Sequence, residues 1–284
     1  MNKDQAFTEV KRHMNYRGNS KSTVHMYLFS LGHLFDYCQK DDVSSITVDD
    51  CMDYIISLKD DGHYAHSTLN LMIASFRYFF EVVLNKPLTH LQLPSLILEV
   101  KDPSVFSSDQ IQILLDFASP KSKAMIILGI DCGLRVSEVA KLRCCDIDSK
   151  NMLLHICDSK RRKSRVVKLS SLALEILRSY WLAYKPGADY LFPSKDGTTH
   201  MNSCSINGCF RALLEQAGLD HLGFRFHSLR HTYATMMLQY GCDIFLLKKL
   251  LGHKALASTS RYINMNTTDV VSSFNISNKV DIHL

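Results

Sequence analysis

The chain has 284 residues, of which 46% are hydrophobic and 21% charged, a composition typical of a globular protein with room for two domain cores. It contains no run of about 18 apolar residues, and its polar N-terminus lacks the apolar core of a signal peptide. We therefore expect a cytoplasmic protein without a membrane span. The net charge of +5 is uneven, because residues 1–100 hold 9 Lys and Arg against 12 Asp and Glu, whereas residues 101–284 hold 24 against 16. A basic second half suits a polyanionic partner.

The nine cysteines are scattered, without a Cys-x-x-Cys pair. Adjacent Cys144 and Cys145 are poor ligands for a tetrahedral metal site, which needs spaced ligands. The sequence also has no Gly-rich phosphate loop and no carboxylate cluster suited to Mg²⁺. We therefore expect reduced, mostly buried thiols, no metal and no nucleotide cofactor.

The first 90 residues are predicted to form four helices. Thr47 and Asp50 resemble a capping box at the start of the third helix, and a wide apolar stripe predicts a fourth helix that begins at His66 or Ser67. The second helix is indicated by apolar residues at helical spacing, namely Val24, Tyr27, Leu28, Leu31 and Phe35.

Residues 91–106 contain two prolines and no clear period, so they are predicted to be an extended linker. A helix resumes at Ser107, which can cap it. The run from Ala124 to Ile130 is apolar on all sides and predicts a buried helix that stops at Gly133.

The period then changes to that of strands. Residues 152–157 and 165–169 are rich in β-branched and apolar residues, and they flank a strongly basic hairpin tip. Four further helices are predicted over residues 171–185, 203–217, 227–240 and 243–251. The fold class is therefore mainly α with a small β-sheet: a helical domain over 1–90, a linker over 91–106 and a mixed α/β domain over 107–284.

Four short motifs in the second half carry side chains suited to phosphodiester chemistry. They are the Gly-Leu-Arg-Val-Ser-Glu run that ends at Glu138, the His-Ser-Leu-Arg-His run that begins at His227, the Leu-Gly-His run that ends at His253, and Tyr262 nine positions later. Arginine forks grip phosphate oxygens and spread developing negative charge. Histidines move protons near neutral pH, and an activated tyrosine hydroxyl is a covalent nucleophile.

Each motif alone also has an ordinary structural explanation. His227 and Arg230, three apart on a helix, could lie on an amphipathic surface. Arg135 and Glu138 could form a surface ion pair, and an isolated tyrosine is more often half-buried core than nucleophile. The joint order of the motifs, with a basic hairpin between them, is what points to function.

In this order and at these distances the motifs resemble the catalytic domain of the tyrosine recombinase (phage integrase) family, from about Ser107 to Tyr262. The resemblance implies that Arg135 and Arg230 clamp the scissile phosphate, with a further hydrogen bond from His253. It implies that Tyr262 attacks to give a 3′-phosphotyrosine and a free 5′-hydroxyl.

The resemblance also implies the groups that move protons and orient the site. His227 would act as general base or proton relay, and Glu138 would orient the site from behind. The family's general acid is a hairpin lysine, which falls at Lys160 when counted back from the Arg-Val-Val-Lys-Leu run. The turn here is Ser-Lys-Arg-Arg-Lys without glycine, so Lys163 remains an alternative.

Residues 5–90 resemble, more weakly, the helical core-binding domain of the same family. The implied architecture is a C-shaped clamp around double-stranded DNA, which works as a homo-tetramer on two DNA sites through a Holliday junction. Residues 263–284 would dock on a neighbouring protomer, and the start of this domain near residue 4 leaves no room for an arm-binding domain. The DNA-binding residues would include Lys21, Thr23, Tyr27, Ser67, Arg77, Arg161, Arg162 and Lys163.

Two other functions use the same features. A DNA-binding protein of this fold that has lost catalysis would be expected to lack at least one residue of the intact set. A type IB topoisomerase uses similar chemistry to relax DNA, but the length and the helical first domain favour a recombinase for integration, excision or resolution. A suicide DNA substrate separates the three.

Overall fold

The computed structural model describes residues 1–98, 102–158, 163–186, 189–253, 257–260 and 262. The chain divides into two compact units, Met1–Val100 and Lys101–Leu284, and each unit has its own hydrophobic core. The described residues are mostly helical with one small sheet, which confirms the predicted fold class. None of the helices in this part of the chain is both long and apolar enough to cross a membrane.

The first unit is built from helices that bury one face each. The predicted capping box is confirmed, because the Thr47 hydroxyl accepts from the Asp50 backbone N–H while the Asp50 carboxylate accepts from that of Thr47. The fourth helix begins at His66, after Ala65, and has no side-chain cap. The helices of residues 1–98 are α1 (Lys3–Tyr16), α2 (Lys21–Cys38), α3 (Val48–Asp60) and α4 (His66–Val82).

Residues 91–98 form neither helix nor strand, but side chains of α4 hydrogen-bond to their backbone. The Asn70 amide accepts from the Leu96 backbone N–H at 2.7 Å and donates to the Leu96 carbonyl at 2.9 Å. The Arg77 guanidinium donates to the Leu93 carbonyl, and the Leu93 side chain is buried. The beginning of the predicted linker is therefore held on the first unit by side chains.

The second unit packs its helices around a buried central helix. The predicted all-round burial of this helix is confirmed, since every residue from Ala124 to Gly129 is buried. Its helices, within the described residues, are α5 (Ser108–Phe117), α6 (Pro120–Ile130), α7 (Val136–Lys141), α8 (Ser171–Tyr184), α9 (Ser203–Gln216), α10 (Phe226–Gln239), α11 (Ile244–Leu251) and α12 (Ala257–Ser260).

An antiparallel sheet lies beside these helices, in the order β1 (Ile147–Asp148), β2 (Leu153–Asp158) and β3 (Lys163–Lys168). Sequence reasoning missed β1, because two residues are too short to show a period. The tip of the β2–β3 hairpin, residues 159–162, lies outside the described residues. In β3 the side chains of Arg165 and buried Val167 share a face, whereas Val166 is exposed on the other face.

The expectation of mostly buried thiols is wrong. Only Cys51 and Cys132 are buried, whereas four cysteines are exposed and three are intermediate. All nine are free thiols. The prediction failed because cysteine is small enough to be tolerated on the polar faces of helices, such as that of α9, where Cys204 and Cys209 lie.

Candidate active site

Arg135 and Glu138 meet at the start of α7. Arg135 is the N-cap residue. The Glu138 carboxylate accepts from the Arg135 backbone N–H at 2.8 Å and from its Nη1 at 3.0 Å. The Glu138 side chain is only 16% exposed, so an ordinary surface ion pair does not describe this contact. The carboxylate faces into the second unit.

Arg165 completes the surroundings of this carboxylate from β3. Its Nη1 and Nη2 donate to the two Glu138 oxygens at 2.7 and 2.8 Å, a bidentate pair. Sequence reasoning used Arg165 only as a marker of the hairpin and missed this role. The available signal was an arginine in phase with the buried face of a strand, where a charge needs a partner.

The Glu138 carboxylate stays ionised at neutral pH. Burial by itself would raise the pKa of Glu138, but the hydrogen bonds and charge of Arg165, followed by those of Arg135, outweigh it and lower the pKa to about 2. Arg230 Nη1 also lies 3.8 Å from the carboxylate. One negative charge therefore stands among three guanidinium groups.

Arg230 is a fully buried arginine on α10. Its Nη1 donates to the Gly133 carbonyl at 2.7 Å and its Nη2 to the Leu251 carbonyl at 2.5 Å. Burial, reinforced by the positive charge of Arg135, lowers the pKa of Arg230 to about 9. Its buried Nε has no hydrogen-bond partner among the described residues. The Arg230 guanidinium is therefore held in place by two carbonyls, has one unsatisfied N–H donor and lies among groups with an excess of positive charge.

Two glycines shape the backbone that Arg230 grips. Gly133 has a φ of +62°, and a Cβ atom there would lie 2.5 Å from Tyr233 Cδ1. Gly252 has a φ of +64° at the end of α11, and a Cβ there would lie 3.0 Å from Arg165 Nη1. Both positions favour glycine because of the left-handed backbone and the close neighbour.

Tyr262 lies inside the second unit and is 1% exposed. Its hydroxyl is hydrogen-bonded to His231 Nδ1 at 2.8 Å. The ring of exposed His227 stands edge-on to that of His231, with centroids 4.5 Å apart. Sequence reasoning expected His227 to serve the tyrosine as general base or proton relay. It did not single out His231, the residue that contacts the hydroxyl, although both histidines lie on one face of α10.

His253 follows Gly252 directly and is hydrogen-bonded through Nδ1 to the Thr259 hydroxyl at 2.9 Å. Thr259 is buried on α12. Arg135 Nη2 donates to the Gly252 carbonyl at 3.4 Å. The structure thus gathers both predicted arginines and His253 at the C-terminal end of α11.

The remaining residues that the sequence predicted to bind DNA, and the predicted general acid, lie away from this cluster or outside the described residues. Lys160, Arg161 and Arg162 lie outside the described residues, and only the backbone of Lys163 is described. In the first unit, Lys21 and Ser67 are exposed. The Thr23 backbone N–H donates to the hydroxyl of Ser20, which caps α2. Tyr27 packs edge-on against Tyr78, and Arg77 donates to the Leu93 carbonyl.

Comparison with known proteins decides the family. Residues 104–269 match the phage integrase family, and residues 7–90 match the phage integrase N-terminal SAM-like domain. The chain belongs to the phage integrase family. The resemblance seen in the sequence motifs is therefore confirmed.

Relatives of this phage integrase family member include an integrase/recombinase named y4eF of Sinorhizobium fredii, which is 31% identical over 79% of this chain and 90% of its own length. Tyrosine recombinase XerA of Pyrococcus horikoshii is 27% identical over 91% of this chain and 88% of its own. Among solved structures, the Tn1549 transposon integrase in complex with transposon right end DNA superposes with a TM-score of 0.76 at 16% identity, covering 99% of this chain and 100% of that one.

Proposed function

We propose that this member of the phage integrase family is a tyrosine site-specific recombinase, which cleaves and rejoins double-stranded DNA through a 3′-phosphotyrosine intermediate. The observation that carries the proposal is the buried, anchored Arg230 with its unsatisfied Nε, set beside Arg135 and in the same unit as a tyrosine hydroxyl already hydrogen-bonded to an imidazole.

The arginines are suited to hold a phosphate whose charge increases during reaction. Three guanidinium groups and one carboxylate leave the cluster with an excess of two positive charges. Arg230 is fixed by two backbone carbonyls, and Arg135 by Glu138. Because these donors are in place before substrate arrives, they stabilise the transition state without reorganising.

The chemistry then needs no metal and no nucleotide. Tyr262 Oη forms a bond to phosphorus while the bond from phosphorus to the 5′-oxygen breaks, so one phosphodiester replaces another. The 5′-hydroxyl of a second strand reverses the step and rejoins the DNA. We assign the protonation of the leaving oxygen to Lys160, with Lys163 as the alternative; the former lies outside the described residues.

Strand exchange between two sites requires four such active centres. We propose a homo-tetramer on two DNA sites, with a Holliday junction between two rounds of cleavage. The basic second unit, the DNA in the Tn1549 integrase complex and the XerH recombinase bound to its difH substrate support double-stranded DNA as partner. Lys21, Ser67 and the basic hairpin are candidates for contacts with the DNA backbone. Residues 263–284, which lie outside the described residues, are candidates for the contact with a neighbouring protomer.

The test begins with Tyr262→Phe, which keeps the ring and removes only the hydroxyl. This variant should bind DNA without cleaving it, so it can select bound sites from randomised duplexes. The wild-type protein is then given the selected site as a nicked suicide duplex, in which the cleaved fragment diffuses away. We expect a covalent adduct with the wild type, and mass spectrometry should place it on Tyr262.

Tyr240→Phe is the matched control, because Tyr240 is 86% exposed on the same unit. It should form adduct at the wild-type rate. Absence of adduct from the wild type on its selected site would indicate a binding protein, and an adduct on another tyrosine would refute the assignment. Relaxation of supercoiled plasmids that lack the site would indicate a topoisomerase.

A further inference from the structure

The side of α2 that faces away from the core of the first unit carries large apolar side chains. Met26 is 37% exposed and Phe29 is 45% exposed, and they share one side of the helix because they are three residues apart. The Phe29 ring meets the ring of His33 edge-on, with centroids 4.3 Å apart. His25 and His33 are exposed as well. These four residues form the outer face of α2, and exposed apolar groups gathered in this way mark an interaction surface.

The outer face of α2 belongs to a stretch of the first unit that lacks acidic residues. Residues 1–100 hold more Asp and Glu than Lys and Arg, yet the stretch between Glu9 and Asp36 holds four Lys and Arg and no Asp or Glu. Lys21, at the first position of α2, is exposed. Asp36, which ends the stretch, is paired with Lys3 at 2.5 Å. The charge of this stretch therefore suits a polyanion.

Two residues of α2 that the sequence predicted to bind DNA lie on a different side of the helix. The Thr23 hydroxyl is hydrogen-bonded to that of the N-cap residue, and Tyr27 packs edge-on against Tyr78 of α4. Both are half-buried. Because they are four residues apart, they share a side of α2, and it is not the side of the outer face. The large side chains that α2 presents to a partner are therefore Met26 and Phe29.

We propose that Met26 and Phe29 contact thymine methyl groups in the major groove of the DNA site, an inference that rests on double-stranded DNA as the partner in the proposed function. The major groove is about 12 Å wide and admits an α-helix, and the thymine C5-methyl is an apolar group that a phenylalanine contacts there. Met26 and Phe29 are about 4.5 Å apart along the helix axis, close to the step of about 3.4 Å between bases. The two side chains therefore reach neighbouring base pairs, while Lys21 is placed for a phosphate.

The size of the outer face disfavours a second copy of the chain as its partner. A stable protein interface buries about 800 Å² on each side, and the core of such an interface is depleted of charged residues. The outer face offers two apolar side chains, each less than half exposed, with a histidine before and after them and a lysine at the start of the helix. A surface of this size and charge matches a few base edges flanked by phosphates.

Replacement of thymine by uracil tests the proposal, because it removes only the methyl group. The DNA is the site selected from randomised duplexes, shortened to a half-site that binds one protomer, and the protein is the full chain with Tyr262→Phe, which should not cleave. We expect uracil at one or two adjacent positions to weaken binding by about 4-fold each, as for the loss of one buried methyl group. This scan needs no variant of α2, so misfolding cannot produce its result.

Variants of α2 then assign the methyl contacts. Phe29→Ala and Met26→Ala, each added to the same chain, should weaken binding of the thymine duplex and abolish the uracil penalty at one position each. Ile56→Ala is the matched control, because Ile56 is 54% exposed on α3 of the same unit. It should leave both the affinity and the uracil penalty unchanged.

Three results would overturn the proposal. The first is a scan in which no thymine methyl affects binding, and the second is a uracil penalty that survives in both Phe29→Ala and Met26→Ala. The third is unchanged half-site binding by Phe29→Ala with loss of cooperative binding to the full site, which would assign the outer face to a contact between protomers.

These results are distinguishable from a failure of the proposed function, because they concern binding and not adduct formation. If the wild type forms adduct and no methyl affects binding, only the thymine contact fails. If a methyl penalty is found on a site where the wild type forms no adduct, the recombinase function fails and the thymine contact stands.

Discussion

Gly133→Ala tests whether the loop below Arg230 is as tightly constrained as the structure indicates. The residue has a φ of +62°, and an added Cβ would lie 2.5 Å from Cδ1 and 2.8 Å from Cε1 of Tyr233. Tyr233 cannot move away easily, because its ring is buried against Leu247, Leu251 and Tyr262. The substitution therefore combines a backbone penalty with overpacking.

The two effects can be given magnitudes. An L-residue in the left-handed region costs about 1–2 kcal/mol, and overpacking a tight core costs about 1–3 kcal/mol. Gly133→Ala should therefore lower the free energy of unfolding of the second unit by about 2–5 kcal/mol. Gly223→Ala is the matched control, since its φ is +68° and no atom lies within 4 Å of the added Cβ. It should lose only the backbone part, about 1–2 kcal/mol.

The assay is urea unfolding of the full chain followed by tryptophan fluorescence. The chain has one tryptophan, Trp181 on α8, so the signal reports on the second unit alone. Adduct formation is measured in parallel, and Gly133→Ala should lose more activity than Gly223→Ala, because the Gly133 carbonyl anchors Arg230. Equal destabilisation by the two variants would refute the overpacking, and unchanged cleavage by Gly133→Ala would refute the anchoring.

Three further predictions concern the charged groups. The pKa of Glu138 falls from 4.5 to about 2 on folding, so the ionised carboxylate stabilises the folded protein by up to about 3 kcal/mol. This contribution is complete above pH 4.5 and is lost as the pH falls toward 2. The acid unfolding of Glu138→Gln should lack this contribution. Arg165→Lys should slow cleavage by about 10- to 100-fold with nearly unchanged DNA binding, since the bidentate grip that orients Glu138 is lost. Lys160→Ala should be rescued by a 5′-bridging phosphorothiolate, whose sulfur leaves without a proton; rescue of Lys163→Ala instead would move the acid to that residue.

Most of the fold could be predicted because its signals are local. Helices such as α3 and α6 can be recognised from caps and apolar patterns that lie within a few residues of each other. The strand β1 could not be predicted, because its two residues adopt the extended conformation by pairing with β2 and have no pattern of their own. The exposure of cysteines such as Cys204 depends on which helix face is covered, which is likewise a tertiary property.

In the candidate site, too, local features could be predicted and contacts between distant residues could not. The motifs around Arg135, Arg230 and Tyr262 could be found by their spacing, since each is short. The partnership of Arg165 with Glu138 joins residues 27 positions apart and appears only once the fold brings Arg165 on β3 within hydrogen-bond distance of Glu138 on α7. The choice between His227 and His231 as partner of the tyrosine depends on side-chain direction, which spacing alone leaves open.

The carboxylate shared by three arginines also governs how this site responds to mutation. Glu138 touches Arg135 and Arg165 directly and lies near Arg230, so a change at any one of the four alters the charge balance for the others. Their effects should be strongly non-additive: loss of Arg165 is less harmful where the carboxylate is already neutral. The four charged groups at positions 135, 138, 165 and 230 therefore respond to substitution as a single unit.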